Sequence, residues 1–103
     1  MAANDVGRRP THPGALLRDD ILPETGLTQT DLADQLGVSR RTINEIVQEH
    51  RPVTIDMACR LARAFGNSPQ FWLNMQQAVD IWDANQARGG EYERIRQIAF
   101  SPA

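Results

Sequence analysis

The stretch from Thr28 to Val47, "TQTDLADQLGVSRRTINEIV", decides the fold. Thr28 followed by Asp31 is a capping box: the hydroxyl can accept from a backbone N–H three residues on while the carboxylate reaches back. A short helix follows with Leu32, Ala33 and Leu36 inward. Gly37 closes it, because glycine takes the left-handed conformation that ends a helix at little steric cost. Ser39 is the next N-cap, and Ile43, Ile46 and Val47 then recur three and four apart. Counting Gln29 as one, Ala33 falls at five, Gly37 at nine, Ile43 at fifteen and Ile46 at eighteen. A helix-turn-helix needs this spacing: a small side chain where the helices cross, a glycine in the turn, and branched residues seating the second helix on the first. Paired amphipathic helices around a glycine occur in many proteins, so the geometry alone does not establish DNA binding. Gln29 and the arginine-rich start of the second helix favour it.

Upstream, Pro13-Gly14 opens a first apolar-periodic stretch with Leu16, Leu17, Ile21 and Leu22. It is expected to end near Pro23, since proline disfavours helical geometry in the residue before it. Leu22 to Gly26 spells "LPETG", which resembles a sortase sorting signal. Such a signal needs a following apolar span of about 20 residues, and "LTQTDLADQLG" offers none. Pro23 and Gly26 therefore read as a helix stop and a turn. Downstream, the third helix is expected to run out between Gln48 and His50. Thr54 caps a fourth with Met57, Ala58, Leu61, Ala62 and Phe65 inward, stopped by Gly66. Ser68-Pro69 starts a fifth through Phe71, Trp72, Met75, Val79 and Trp82 towards Gly89-Gly90. Almost nothing alternates with the strand period, so the expected fold is all-α, with five helices and the helix-turn-helix in the second and third. The expected organisation is a flexible segment 1–11, a domain 12–88 ending in a dimerisation helix, and a tail 89–103.

Composition limits the function classes. At 103 residues, 41% apolar and 23% charged, the chain has room for one soluble domain with a modest core. The single cysteine, Cys59, cannot form an internal disulfide, and its place beside apolar positions suggests a small packing residue. A reducing cytoplasm is the expected location. The N-terminus has no apolar core of a secretory signal. There is no nucleophile–base signature, metal-ligand spacing or phosphate loop, so no enzyme, metal or cofactor is expected.

"TQTDLADQLGVSRRTINEIV" is similar to the Xre/phage-repressor type of helix-turn-helix, and "HPGALLRDDIL" with "TIDMACRLARAFGNSPQFWLNMQ" resembles the HigA-type antitoxins of bacterial toxin–antitoxin modules. The resemblance covers roughly residues 12–82, with "SPQFWLNMQ" its more specific part. It implies a five-helix, lambda-repressor-like domain that dimerises through its C-terminal helix. It also implies operator binding at the protein's own promoter and neutralisation of a HigB-type mRNA-cleaving toxin. A stand-alone Xre-family repressor is the alternative. Many relatives end the recognition helix with Asn-Gly, where this chain has Glu49-His50.

Residues at the start of a recognition helix face base edges, which makes Arg40, Arg41, Asn44 and Glu45 the candidates. Arginine donates twice to guanine, asparagine matches adenine, and glutamate accepts from cytosine. Gln29 resembles the family glutamine that holds a phosphate, and Ser39, Thr42 and Arg51 are further phosphate or sugar candidates. Each has a plainer role available: Ser39 as a cap, and Arg41 with Glu45 as an i,i+4 surface pair. His50 is expected in an exposed loop and His12 in the N-terminal turn. From Thr28 to Arg51 there are three arginines and four acids, so the motif is not basic. That charge balance implies weak non-specific affinity and reliance on dimerisation and base contacts.

On the fifth helix Phe71, Met75, Ala78 and Trp82 form one stripe, and Trp72, Leu73, Val79 and Ile81 widen it beyond what a small domain covers on one side. Phe71, Trp72, Met75, Val79 and Trp82 are the expected anchors of a homodimer on a palindromic operator. The alternative is one stripe packed on the first and fourth helices with the remainder partly covered. Tyr92, Ile95 and Ile98 in the tail fit either a short helix or a frayed end.

Overall fold

The computed structural model describes residues 7–101, and every regular element among them is helical. Five helices follow in order. Helix α1 covers 13–25 as Pro13–Leu16, a π-helical turn Leu17–Ile21, and Leu22–Thr25. Then come α2 (Gln29–Leu36), α3 (Arg40–Val47), α4 (Ile55–Phe65) and α5 (Pro69–Glu93).

The caps fall where local chemistry places them. Thr28 Oγ1 accepts from Asp31 N at 3.0 Å while Thr28 N donates to Asp31 Oδ2 at 3.0 Å, which completes the capping box of α2. These hydrogen bonds hold the Asp31 carboxyl below its ordinary value. Ser39, Thr54 and Ser68 each accept from the amide three residues on. Gly26, Gly37 and Gly66 end α1, α2 and α4 in the left-handed region.

One expected stop is corrected. Pro23 does not end α1; the helix continues to Thr25 and its cap Gly26. The preceding π-turn accounts for this, because Leu22 N donates to Leu17 O, five residues back. Pro23 then stands at the start of a fresh α-turn, where its missing N–H is not required. The long run of α5 breaks at Arg88 (φ −135°, ψ 15°), directly before Gly89-Gly90 as expected, and a short further helical stretch carries the chain to Glu93. Glycine weakens a helix interior but does not forbid it. Of the tail's periodic residues only Tyr92 is helical, and Ile95, Ile98 and Phe100 are exposed. In the segment expected to be flexible, residues 1–6 lie outside the described residues, and Arg9 is ion-paired to Glu49 and Asp83.

The core is one cluster drawn from every helix: Leu17 from α1, Leu32 and Leu36 from α2, Ile43, Ile46 and Val47 from α3, Met57, Ala58 and Leu61 from α4, and Trp72 from α5. Burying one large apolar side chain contributes roughly 1.5–3 kcal/mol, so this shared cluster is what seats α3 on its neighbours. Trp72 is fully buried and donates its indole N–H to Asn67 Oδ1 at 2.9 Å. Buried Gln76 is also satisfied, accepting from Val53 N at 2.8 Å and donating to Asp80 at 3.0 Å. It ties the loop before α4 to α5. Cys59 does not pack inside; it is exposed on α4.

Candidate nucleic-acid interface

Helix α3 is anchored from behind by Ile43, Ile46 and Val47, all nearly inaccessible, so its opposite face must point outward. The first turn of α3 carries no acid, and Arg40 and Arg41 lead it, both exposed. The Arg41 side chain is 85% accessible even though its Nε is paired with Glu45. Helix N-termini also favour anions through their unpaired amides and dipole.

Seven of the eight candidate residues form three linked groups, with Arg40 outside them. Asn44 Nδ2 donates to Gln29 Oε1 at 3.1 Å, joining the recognition helix to the start of α2. Ser39 caps α3 and its hydroxyl lies 2.9 Å from that of Thr42. Glu45 accepts from Arg41 Nε at 3.1 Å and from Arg51 Nε at 2.8 Å and Nη2 at 2.6 Å. The hydrogen bonds from Arg51 and then Arg41 hold the Glu45 carboxyl below its usual value. Glu45 therefore satisfies two arginines rather than standing free for a base.

A second network behind α3 was not visible in the sequence. Glu49 follows α3 with φ 64°, a left-handed backbone on a residue with a side chain. Arg9 donates to Glu49 at 2.9 Å and, through Nε and Nη2, twice to Asp83 of α5 at 2.9 Å. Arg18 donates to the Val47 carbonyl at 2.8 Å and to Glu49 at 3.3 Å. Burial pushes the Glu49 carboxyl up, and the hydrogen bonds from Arg9 and Arg18 outweigh it and hold the group below its usual value. The one signal in the sequence was Glu49-His50, where the resembled family often has Asn-Gly, a pair that favours a left-handed backbone.

Along α5 the expected dimer stripe needs correction. Trp72 is 0% and Val79 1% accessible within the single chain, so neither has surface left for a partner to cover. Phe71 stays exposed, with its ring edge-on to Trp72 at 5.2 Å, and Met75 and Trp82 are half-buried. Pro10, Ala78, Ile81, Trp82 and Asn85 line an open cleft of about 260 Å³.

A helix-turn-helix family model, HTH_3, matches residues 18–72. Antitoxin HigA-1 of Vibrio cholerae is 36% identical over 94 residues, covering 91% of this chain and 89% of that protein. The chain belongs to the HigA-type antitoxins. Among solved structures similar to this antitoxin, a Pseudomonas aeruginosa HigA determined with the higBA promoter has a TM-score of 0.83 and 41% identity. That match covers 88% of this chain and 100% of the other. The antitoxin GraA matches at TM-score 0.84 and 40% identity, over 89% of this chain and 100% of its own, and has also been solved in complex with its operator. In this HigA-type antitoxin the matched region runs from Arg18 to Trp72, from the residue that holds the end of α3 to the one that closes the core.

Proposed function

We propose that this HigA-type antitoxin represses its own operon by binding a palindromic operator through α3, and neutralises a HigB-type mRNA-cleaving toxin in the cytoplasm. The observation that carries the DNA reading is the pair Arg40 and Arg41, exposed at the outward end of a helix whose rear face is locked into the core. Arg40 and Arg41 are assigned to guanine edges and Asn44 to adenine. Gln29, Ser39, Thr42 and Arg51 are assigned to the flanking backbone, with Glu45 on the same face. The chain acts as a homodimer through Phe71, Met75 and Trp82, with half-sites about 10 base pairs apart. The domain lies within 12–88, flanked by 1–11 and 89–103. We assign it binding and no catalysis. Among the described residues no helix is long and apolar enough to cross a membrane.

Gel shift on the chain's own promoter tests the DNA assignment. Each bidentate arginine–guanine contact is worth about 1–3 kcal/mol, so Arg40→Ala with Arg41→Ala should weaken binding by at least tenfold. Unchanged binding by the double variant removes the assignment. The antitoxin assignment requires a small basic ribonuclease encoded beside this gene, whose toxicity co-expression of this chain relieves. Failure to rescue growth would leave a stand-alone repressor.

A further inference from the structure

The recognition helix carries an acid inside its own reading face, and that acid is fully engaged. Glu45 lies one turn beyond Arg41 and uses both oxygens: Oε2 accepts from Arg41 Nε at 3.1 Å, and Oε1 accepts from Arg51 Nε at 2.8 Å and Nη2 at 2.6 Å. One carboxylate so holds two of the three arginines between Thr28 and Arg51, one from the helix and one from the loop after it. The side chains of Arg41 and Arg51 remain 85% and 46% accessible and that of Glu45 28%, so this is a surface cluster. Exposed pairs of this kind add little to folding. Their placement on the outward face of α3 gives them another consequence.

We propose that Glu45 is a positioning residue that suppresses sequence-independent DNA binding by competing with phosphate for Arg41 and Arg51. The proposal rests on α3 being the DNA-reading helix. Carboxylate and phosphate offer guanidinium the same bidentate, charge-assisted geometry. Non-specific affinity comes from neutralising phosphates and releasing their counterions. A guanidinium already neutralised by Glu45 brings little of that gain to an arbitrary duplex. At the correct site Arg41 keeps its Nε on Glu45 and turns its two terminal nitrogens to a guanine edge, so the base contact is gained without breaking the pair. The carboxylate thereby lowers affinity everywhere but lowers it less at the operator, which raises the ratio between the two. Specificity is a difference of affinities, and a built-in competitor acts on the wrong partner more strongly than on the right one.

The test uses the full chain and Glu45→Gln in fluorescence anisotropy, on a duplex from its own promoter and on a scrambled duplex of equal length, between 50 and 200 mM salt. Gln keeps the shape of the side chain and removes its charge. Affinity for the scrambled duplex should rise roughly tenfold near 0.1 M salt, with the log–log salt slope steeper by about 0.9 for each arginine released. Operator affinity should rise less, so the preference for operator falls. Adding Arg51→Gln to Glu45→Gln should return part of the scrambled-duplex affinity and about half of the extra slope. Wild-type affinity and slope on the scrambled duplex for Glu45→Gln would overturn the proposal. So would a loss confined to the operator, which would make Glu45 a base reader. If the wild-type chain binds neither duplex, the DNA reading itself fails, an outcome distinct from either of these.

Discussion

Gly14 sits where α1 meets α3, and replacing it by alanine sets two effects against each other. Glycine within a helix costs about 0.5–1 kcal/mol relative to alanine, so helix propensity alone makes Gly14→Ala stabilising. A Cβ at this position, however, would lie 1.8 Å from the Ile46 carbonyl oxygen and 2.7 Å from its carbon. Reaching ordinary contact requires α1 and α3 to separate by roughly 1.5 Å. The obstruction is backbone, so no side-chain rotation relieves it. Overpacking costs typically 1–3 kcal/mol and sometimes more, and a backbone clash belongs at the upper end. The net loss should be about 2–3 kcal/mol, or a fall in Tm of roughly 10–20 °C for a domain of this size. Operator affinity should fall further than unfolding explains, because Ile46 seats the helix that carries Arg40 and Arg41. Gly89 and Gly90 provide the contrast: a Cβ at either meets nothing within 4 Å, and alanine there should raise stability by about 0.5–1 kcal/mol. Circular-dichroism melts of the three variants decide the matter. A Gly14→Ala protein that melts at or above the wild-type temperature refutes the close crossing of α1 and α3.

Three further outcomes follow from the same packing. His12 caps α1 by accepting from Gly14 N at 2.8 Å, and burial lowers its pKa against the opposing pull of Glu49, Asp80 and Asp83 and with the push of Arg9. The unfolded state then binds the proton more readily, so stability is complete above about pH 6.5 and declines as pH falls towards the lowered folded value. Wild type should lose Tm between roughly pH 7 and 5, while His12→Asn, which keeps a capping oxygen, should be flat there; parallel profiles would exclude the His12 contribution. The depressed carboxyls of Glu49 and Asp83 act in a separate, more acidic window, below the usual carboxylate range. Asn67→Ala strands the Trp72 indole N–H and should cost about 1–3 kcal/mol by urea titration; no change would mean the indole finds water. Ile81→Glu together with Trp82→Ala places charge in, and removes an anchor from, the exposed side of α5. Sedimentation should then show monomer where wild type is a dimer, and an unaffected dimer would move the interface elsewhere.

How far the sequence could be read depended on the range of each interaction. Thr28, Ser39, Thr54 and Ser68 were legible as caps because each bonds an amide three residues away. The exposure of Arg40 and Arg41 followed from the inward Ile43, Ile46 and Val47. The Arg41–Glu45 pair was legible as an i,i+4 neighbour, but Arg51 joining it was not, since a loop sets that approach. Arg9 and Asp83 are 74 positions apart, and no local pattern connects them. On α5 two adjacent stripes are apolar, and periodicity does not say which turns inward. The core takes Trp72, Gln76 and Val79 and leaves Phe71, Met75 and Trp82 less covered. Cys59 was misplaced for a different reason: it borders apolar residues in sequence but falls off the stripe formed by Met57, Ala58, Leu61 and Ala62, and each residue turns a helix by about 100°.

The π-turn at Leu17–Ile21 bears on how this chain is aligned with its relatives. A turn closed five residues back accommodates one residue more than an α-turn, so in register terms it is a single-residue insertion lodged within a helix. Positions before and after it present faces offset by about 100° from those of an uninterrupted α-helix. A relative that lacks both the extra residue and Pro23 can bury the same α1 core with its sequence slipped by one place. A gap in α1 between two such chains would then mark a helix wound differently around a preserved contact, and side chains matched across it by letter would point in different directions.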